Sequence, residues 1–431
     1  MLAVILLVSA LQSPTAASRA VSAPPVIDGR LTDAAWRDAT PISGFIQREL
    51  HEGEPVTERT EVRIITDGEA LYVGAWLYDS DAGAIVPGER VRDGDITKND
   101  YFGIMLDTYH DRQNGFVFTT TPAGIEYDGQ IVNEGEGGGI QLPGQTRATA
   151  GSLGGFNLNW DATWIVATSV DSAGWYAEFR IPFTTLRYGA AKSQTWGLNL
   201  VRSIRRKSEE AFWAFIPRQF TLMKVSRAGA LEGVQVPSRR VATATPYVLV
   251  GAERNFIVDP ETQKRSEFGG EVKLGVTQGL TLDLTYNTDF AQVEVDEVRT
   301  NLTRFPLFFP EKRPFFLENA GIFSAGTPQA VDLFFTRRIG IDLFGRPVPI
   351  IGGGRLTGRL AGLTVGGLQI FSEGTSVQEE MAYSVLRFGR EFATRSRIGV
   401  IGVQRVATSE AQNWNRVFGV AGRIGNGDPW T

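Results

Sequence analysis

NLTRFPLFFPEKRPFFLENAGIF, residues Asn301–Phe323, sets the terms on which the rest of the chain is understood. The stretch is rich in phenylalanine. Pro306, Pro310 and Pro314 nonetheless interrupt it, and Glu311, Lys312 and Arg313 sit together at its middle. Proline removes a backbone donor and clashes with the preceding turn, so no membrane-crossing helix runs through here. Adjacent charges argue equally against a place in an ordinary soluble core. Glycine-rich segments of alternating hydrophobicity lie on either side. The combination fits a large ordered loop, or inward-folded plug, over residues 288–334 of a strand-built wall.

The flanking segments carry the two-residue period of a strand. In LTLDLTYN, Leu280, Leu282, Leu284 and Tyr286 fall on one side, and Thr281, Asp283, Thr285 and Asn287 on the other. The period recurs at 270–276, 355–358, 362–370, 382–388, 397–404 and 416–424. Several of these segments approach the ~9–11 residues that cross a bilayer as a tilted strand. Gly352–Gly354 and Gly366-Gly367 permit sharp curvature. Residues 246–431 are therefore expected to form part of an antiparallel outer-membrane β-barrel, with a second soluble β-domain as the alternative. The final residues, GNGDPWT, read as a turn rather than an aromatic-ended strand, so the barrel is expected to be truncated at its C-terminal side.

Upstream, residues 24–236 also read as strands. Asp67-Gly68 separates EVRIIT from ALYVGAWLY, and Asn114-Gly115 precedes FVFTTT, both hairpin signals. Asp171–Ala173 separates WIVATSV from GWYAEFRI, a third hairpin. Regular short strands of this kind suggest a two-sheet, jelly-roll-like sandwich. One helical start is expected at Thr32–Trp36, with Thr32 as its cap. Residues 237–245, with Pro237, Arg239 and Arg240, read as a linker. Residues 1–23 have the outline of a secretory signal: an apolar run from Leu2 to Leu11, then cleavage options at Ala17, Ala20 or Ala23.

Composition narrows the function classes. Lys and Arg number 43 against 48 Asp and Glu, so no basic field exists to draw nucleic acid. There is no cysteine, which excludes disulfides and thiolate chemistry. His51 and His110 are the only histidines, poor support for a zinc site or a histidine relay. No motif pairs two carboxylates for glycoside hydrolysis.

Two resemblances then enter. VIDGRLTDAAW at Val26–Trp36 is followed by Thr60–Asp79, Asn99–Asp107 and GWYAEFRIPF at Gly174–Phe183. In that order these resemble the family 9 carbohydrate-binding-module-like domain. The segment Leu282–Glu318, with FFTRRIG at Phe334–Gly340, resembles the region called DUF5916. That resemblance implies an outer-membrane β-barrel in contact with lipid. Together they imply an exported outer-membrane protein with a periplasmic sandwich that takes part in glycan recognition, uptake or catabolism. A hydrolase of O-glycosyl bonds is the alternative, because such modules accompany those enzymes. A partner-binding or secretion-associated barrel with no sugar ligand is the third. A non-enzyme is favoured.

For a carbohydrate ligand the aromatic platforms are Trp76, Trp160 and Trp213, and Asn159-Trp160-Asp161 adds two hydroxyl-gripping side chains beside a ring. Trp164 and Trp175 are equally able to be core. The run RDGDITKND offers Asp93, Asp95 and Asp100 as oxygen ligands for structural calcium, against a reading as a solvated acidic loop. Arg202, Arg205, Arg206 and Lys207 read as a charged strand end.

Overall fold

The computed structural model describes residues 13–135, 155–158, 160–237, 242–255, 259–277, 279–288, 311, 313–323, 325–327, 331–342, 348–360, 362–392, 396–409 and 413–424. The fold is all-β. Its first half contains β1 (Thr15–Ala17), β2 (Arg19–Ala20), β3 (Ile46–Glu49), β4 (Thr60–Thr66), β5 (Ala70–Tyr78), β6 (Tyr101–Asp107) and β7 (Gly115–Thr120). It continues with β8 (Tyr127–Val132), β9 (Gly155–Asn157), β10 (Ile165–Asp171), β11 (Gly174–Pro182), β12 (Ser193–Ile204), β13 (Glu209–Phe212) and β14 (Gly229–Gln235). The larger sheet runs β1-β14-β12-β6-β7-β8-β9, with β13 and β3 continuing from β12. The smaller runs β10-β11-β5-β4-β2.

The expected hairpins form for local reasons. At Asp67-Gly68 the glycine takes a left-handed φ of 90°. The Asp67 carboxylate accepts the Glu69 and Ala70 amides, both at 2.9 Å, and so closes the turn. Facing sides of the two sheets share one core, in which Val62, Ile64, Val73 and Phe179 meet Phe102, Ile104, Phe118 and Leu200. The helical start is shorter than expected, a 3-10 turn at Ala34–Trp36. Asp33 rather than Thr32 stands at its cap position, without a side-chain capping bond.

The same region explains its motif. Glu178 is fully buried and accepts three N–H groups: Asp28 at 3.0 Å, Gly29 at 2.8 Å and the Trp36 indole at 3.1 Å. The residues that carry the sandwich resemblance are thus a fastening between the N-terminal loop and β11. Residues inside the expected leader also take part, since Thr15–Ala17 pairs parallel with β14 and Ala16 is buried.

Beyond the sandwich lie β15 (Ala242–Asn255), β16 (Asp259–Gly275), β17 (Leu280–Tyr286), helix α1 (Pro314–Leu317), β18 (Gly326–Thr327) and β19 (Val331–Asp332). They are followed by β20 (Ile350–Leu360), β21 (Leu363–Ser372), β22 (Met381–Phe392), β23 (Ser396–Ala407) and β24 (Trp414–Arg423). Eight of them form one sheet, β15-β16-β17-β20-β21-β22-β23-β24, antiparallel throughout. β15 begins within the expected linker, at Ala242. Among the described residues no pairing joins β15 to β24, so the sheet is open rather than closed into a barrel. β18 and β19 form a separate short hairpin.

The two faces of this sheet are reversed relative to a soluble domain. Asp283, Thr285, Arg355 and Thr357 point into the molecule and are buried, while Leu284, Tyr286 and Leu360 are exposed. The outer face continues through Val250, Phe268, Leu386, Phe388, Val400, Phe418 and Val420, and reaches 77% exposure at Val250 and 81% at Phe418. On the inner face, Phe315, Phe316, Phe323 and Phe334 pack against Ile350, Leu368, Ile370, Val385 and Ile401. The described part of the phenylalanine-rich segment therefore covers the inside of the sheet. Its charges are buried after all: Arg313 pairs with Glu311 at 2.7 Å, both within 1% of full burial. Arg313 also donates to the Ile339 and Thr336 carbonyls at 2.7 and 2.9 Å, and stacks over Phe316 at 4.2 Å. A buried charge is tolerated when paired and hydrogen-bonded, and that is the case here. Lys312 lies outside the described residues.

Candidate functional site

The residues selected for carbohydrate separate into two kinds of environment. Trp160 is 7% exposed, with its ring 5.0 Å from Phe116 and 6.1 Å from Phe118. Trp213 is 6% exposed, and a side chain at Gly229 would lie 2.7 Å from its ring. Both rings belong to the sandwich core, and Trp160 meets open space only at a cavity it shares with Glu318 and Arg355. Asn159 lies outside the described residues. Asp161 is exposed and forms an ion pair with Arg92, which also reaches Asp128 at 2.7 Å. Asp128 accepts the Ala162 amide at 2.7 Å and the Trp164 indole at 3.1 Å; burial pushes its carboxyl up to about 6. Of the basic cluster only Arg202 is internal, and the other three form a charged turn at the end of β12, as expected. Arg202 is buried and donates to the Arg59 and Tyr78 carbonyls, while Arg206 and Lys207 pair with Glu58.

The calcium expectation does not survive the geometry. Asp93 accepts from the Asp128 amide at 3.3 Å and faces Arg92. Asp95 caps a 3-10 turn by accepting from Thr97 at 3.0 Å. Asp100 is buried and accepts from the Val86 amide at 2.8 Å. Asp95 closes its own turn, Asp93 and Asp100 bind amides of other segments, and among the described residues no three Asp, Glu or His side chains gather around a common point.

Trp76 remains as an accessible ring. It is half-buried on the outer face of the smaller sheet, directly across from Tyr176 in the β5–β11 register. The Arg63 guanidinium lies 5.2 Å above it, and Arg59 lies 4.7 Å above Tyr78. Tyr78 and Tyr176 meet edge to face at 6.5 Å. Glu61 holds both arginines, at 2.9 and 2.8 Å. The Tyr176 hydroxyl donates to Asp171 at 3.1 Å, and burial together with that carboxylate pushes its pKa up to about 12. Rings flanked by fixed donors and acceptors can stack on the C–H face of a sugar and hold its hydroxyls. Trp76 was legible from sequence; its tyrosine and arginine neighbours come from strands that only the sheet register brings together.

A second assembly sits where the sandwich meets the sheet. Glu318, at the end of α1, binds Arg187 of the sandwich and Lys273 of β16. Arg355 of β20 binds Asp283 at 2.9 Å and the Glu318 carbonyl. Arg359 reaches across to Asp111 of the sandwich at 2.7 Å. A side chain at Gly321 would lie 2.3 Å from Val132, so the segment after α1 seats directly on β8. Burial raises the Glu318 carboxyl, but Arg187, Lys273 and Arg355 outweigh it and hold the pKa at about 2. A cavity of about 180 Å³ lies between the two halves, lined by Trp160, Asp161, Lys273, Asp283, Glu318 and Arg355. Nothing in the sequence pattern links Glu318 to the sandwich cation at Arg187, 131 positions away.

A family model described as a domain of unknown function, DUF5916, matches residues 238–348. No curated protein matches the chain. Among solved structures, the chain is similar to a carbohydrate binding module family 9 from Caldicellulosiruptor kristjanssonii in complex with cellotriose. The identity is 15% and the TM-score 0.32, covering 52% of this chain and 95% of that one. For the module from the same organism in complex with glucose the values are 16%, 0.33, 52% and 97%.

Proposed function

We propose that this chain is an exported outer-membrane protein whose eight-stranded sheet forms a lipid-facing wall, with the sandwich seated on its inner side as a carbohydrate-recognising domain. The outer face of the sheet carries the reading: it is apolar and exposed from Val250 to Phe418, while the inner face holds Asp283, Thr285 and Arg355 beside an apolar cluster around Ile370. Exposed apolar surface of this extent costs free energy in water and is favourable against lipid tails. Strands β20 to β24 run 10 to 12 residues, enough to cross a bilayer at the usual tilt. No described helix is long and apolar enough to cross a membrane, so any crossing falls to strands. Carbohydrate recognition is supported by Trp76, Tyr78 and Tyr176 with their arginines.

Because the chain has no cysteine, single labels report cleanly. Val420→Cys and Val250→Cys, carrying an environment-sensitive fluorophore, are expected to shift to the blue in vesicles; Thr168→Cys in the sandwich is not. A full-length chain that stays soluble and unshifted without detergent or lipid would sink the membrane reading. For the sugar, the measurement is a glycan array with wild type and Trp76→Ala. Loss of a stacking ring worth about 1 kcal/mol predicts a fall of about five- to tenfold. A blank array, or signal indifferent to Trp76, would end it.

A further inference from the structure

We infer that a second cavity at the junction, formed by β7 and β8 of the sandwich and β20 to β23 of the sheet, is a binding site for a small hydroxy acid. Its volume is about 110 Å³, room for several waters. This inference stands apart from the Trp76 surface and does not rest on it.

Two lining groups are buried and unsatisfied. Among the described residues Arg387 Nη1 has no hydrogen-bond partner, and neither has Gln130 Oε1. One is a charged donor from the sheet, the other a neutral acceptor from the sandwich. Leaving either dry and unpaired is destabilising, more so for the charged one. Charge around the cavity points the same way. Asp111 and Glu391 are the only acids among the described lining residues, and both bind Arg359, at 2.7 Å each. Arg387 and Arg397, on the inner side of β22 and β23, line the same space, so with Arg359 three arginines meet two carboxylates and leave it positive.

The backbone makes the room. Gly389 and Gly399 face each other in the β22–β23 register. A side chain at Gly399 would lie 2.6 Å from Arg387 Nη1, in the place the guanidinium occupies. A ligand that satisfies both orphans carries an anionic oxygen for Arg387 and a hydroxyl hydrogen for Gln130. A sugar acid has both; a neutral sugar lacks the first, and a simple carboxylate lacks the second. Charge-assisted pairing to a guanidinium is the stronger of the two contacts.

Calorimetric titration of the full chain in detergent, with D-glucuronate, D-glucose and acetate, tests this. Glucuronate is expected to bind at least tenfold more tightly than either of the others. Arg387→Met is expected to remove that binding, and Gln130→Leu to bring glucuronate down to the level of acetate. The second variant lies in the sandwich and keeps the test open if the first does not fold. Absence of glucuronate binding, or equal binding of glucose or of acetate, overturns the inference.

Discussion

The two halves of this chain are built from the same antiparallel strands and bury opposite faces of them. In the sandwich, Val62, Ile64, Phe102 and Ile104 are inside, and Glu61, Arg63 and Trp76 face outward. In the eight-stranded sheet, Asp283, Thr285 and Arg355 are inside, and Leu284, Phe388 and Phe418 are outside. A strand's period separates two faces without saying which is interior. The difference is therefore one of surroundings: another sheet covers the apolar face in the sandwich, whereas in the wall a loop of phenylalanines and paired charges covers the mixed inner face and leaves the apolar outer face open.

Breaking the charge pairing inside the wall is expected to have the largest effect. Arg313→Met strands Glu311 in a fully buried site, at a cost of about 3–5 kcal/mol. Thermal unfolding of the full chain should show the sheet transition falling while the sandwich transition holds. The matching change in the sandwich is Glu178→Ala, which leaves three buried donors unmet and costs about 3 kcal/mol. There the sandwich transition should fall, and an unchanged melting curve would show that the motif does not fasten the N-terminal loop.

Placing a charge on the outer face sharpens the comparison. Phe388→Arg should cost about 2–4 kcal/mol in lipid, graded with depth. The same residue type placed on the sandwich surface at Val170 should stay within ~0.5 kcal/mol. Equal costs would mean the two halves share one solvent.

The smallest effect is expected at the seam. The Glu318 carboxyl, ordinarily near 4.5, is held at about 2. A depressed folded pKa means that its contribution is complete above the ordinary value and drains away as pH falls from 4.5 towards 2. Hydrogen-exchange protection around Arg187 and β16, taken relative to the intrinsic rate at each pH, should therefore fall between pH 5 and 3. Glu318→Gln should show the lower protection already at pH 5, with the added pH dependence gone.

Much of the strand pattern could be read directly. The Asp67-Gly68 turn is a local event between neighbours, and LTLDLTYN alternates whatever it packs against. The candidate site was less accessible. Trp76 in β5 and Trp160 and Trp213 beside strands are the same residue type, yet two are core and one is half-open. Glu178 meets its partners across 142 to 150 positions, and Glu318 meets Arg187 across 131. Such pairings leave no local trace. Asp93, Asp95 and Asp100 looked like one cluster because they are close in sequence, yet Asp95 binds within its own turn while Asp93 and Asp100 bind the Asp128 and Val86 amides of other segments.

Sequence alone carried the all-β class, the hairpins, the alternation of the wall strands and the separation of a sandwich from a sheet, because each depends on residues within a few positions of one another. The interior face of the wall, the burial of Glu311 with Arg313, the seating of the sandwich at Glu318 and the exposure of a single candidate ring came from long-range packing. Burial is a property of what covers a face, and the covering residues lie far along the chain.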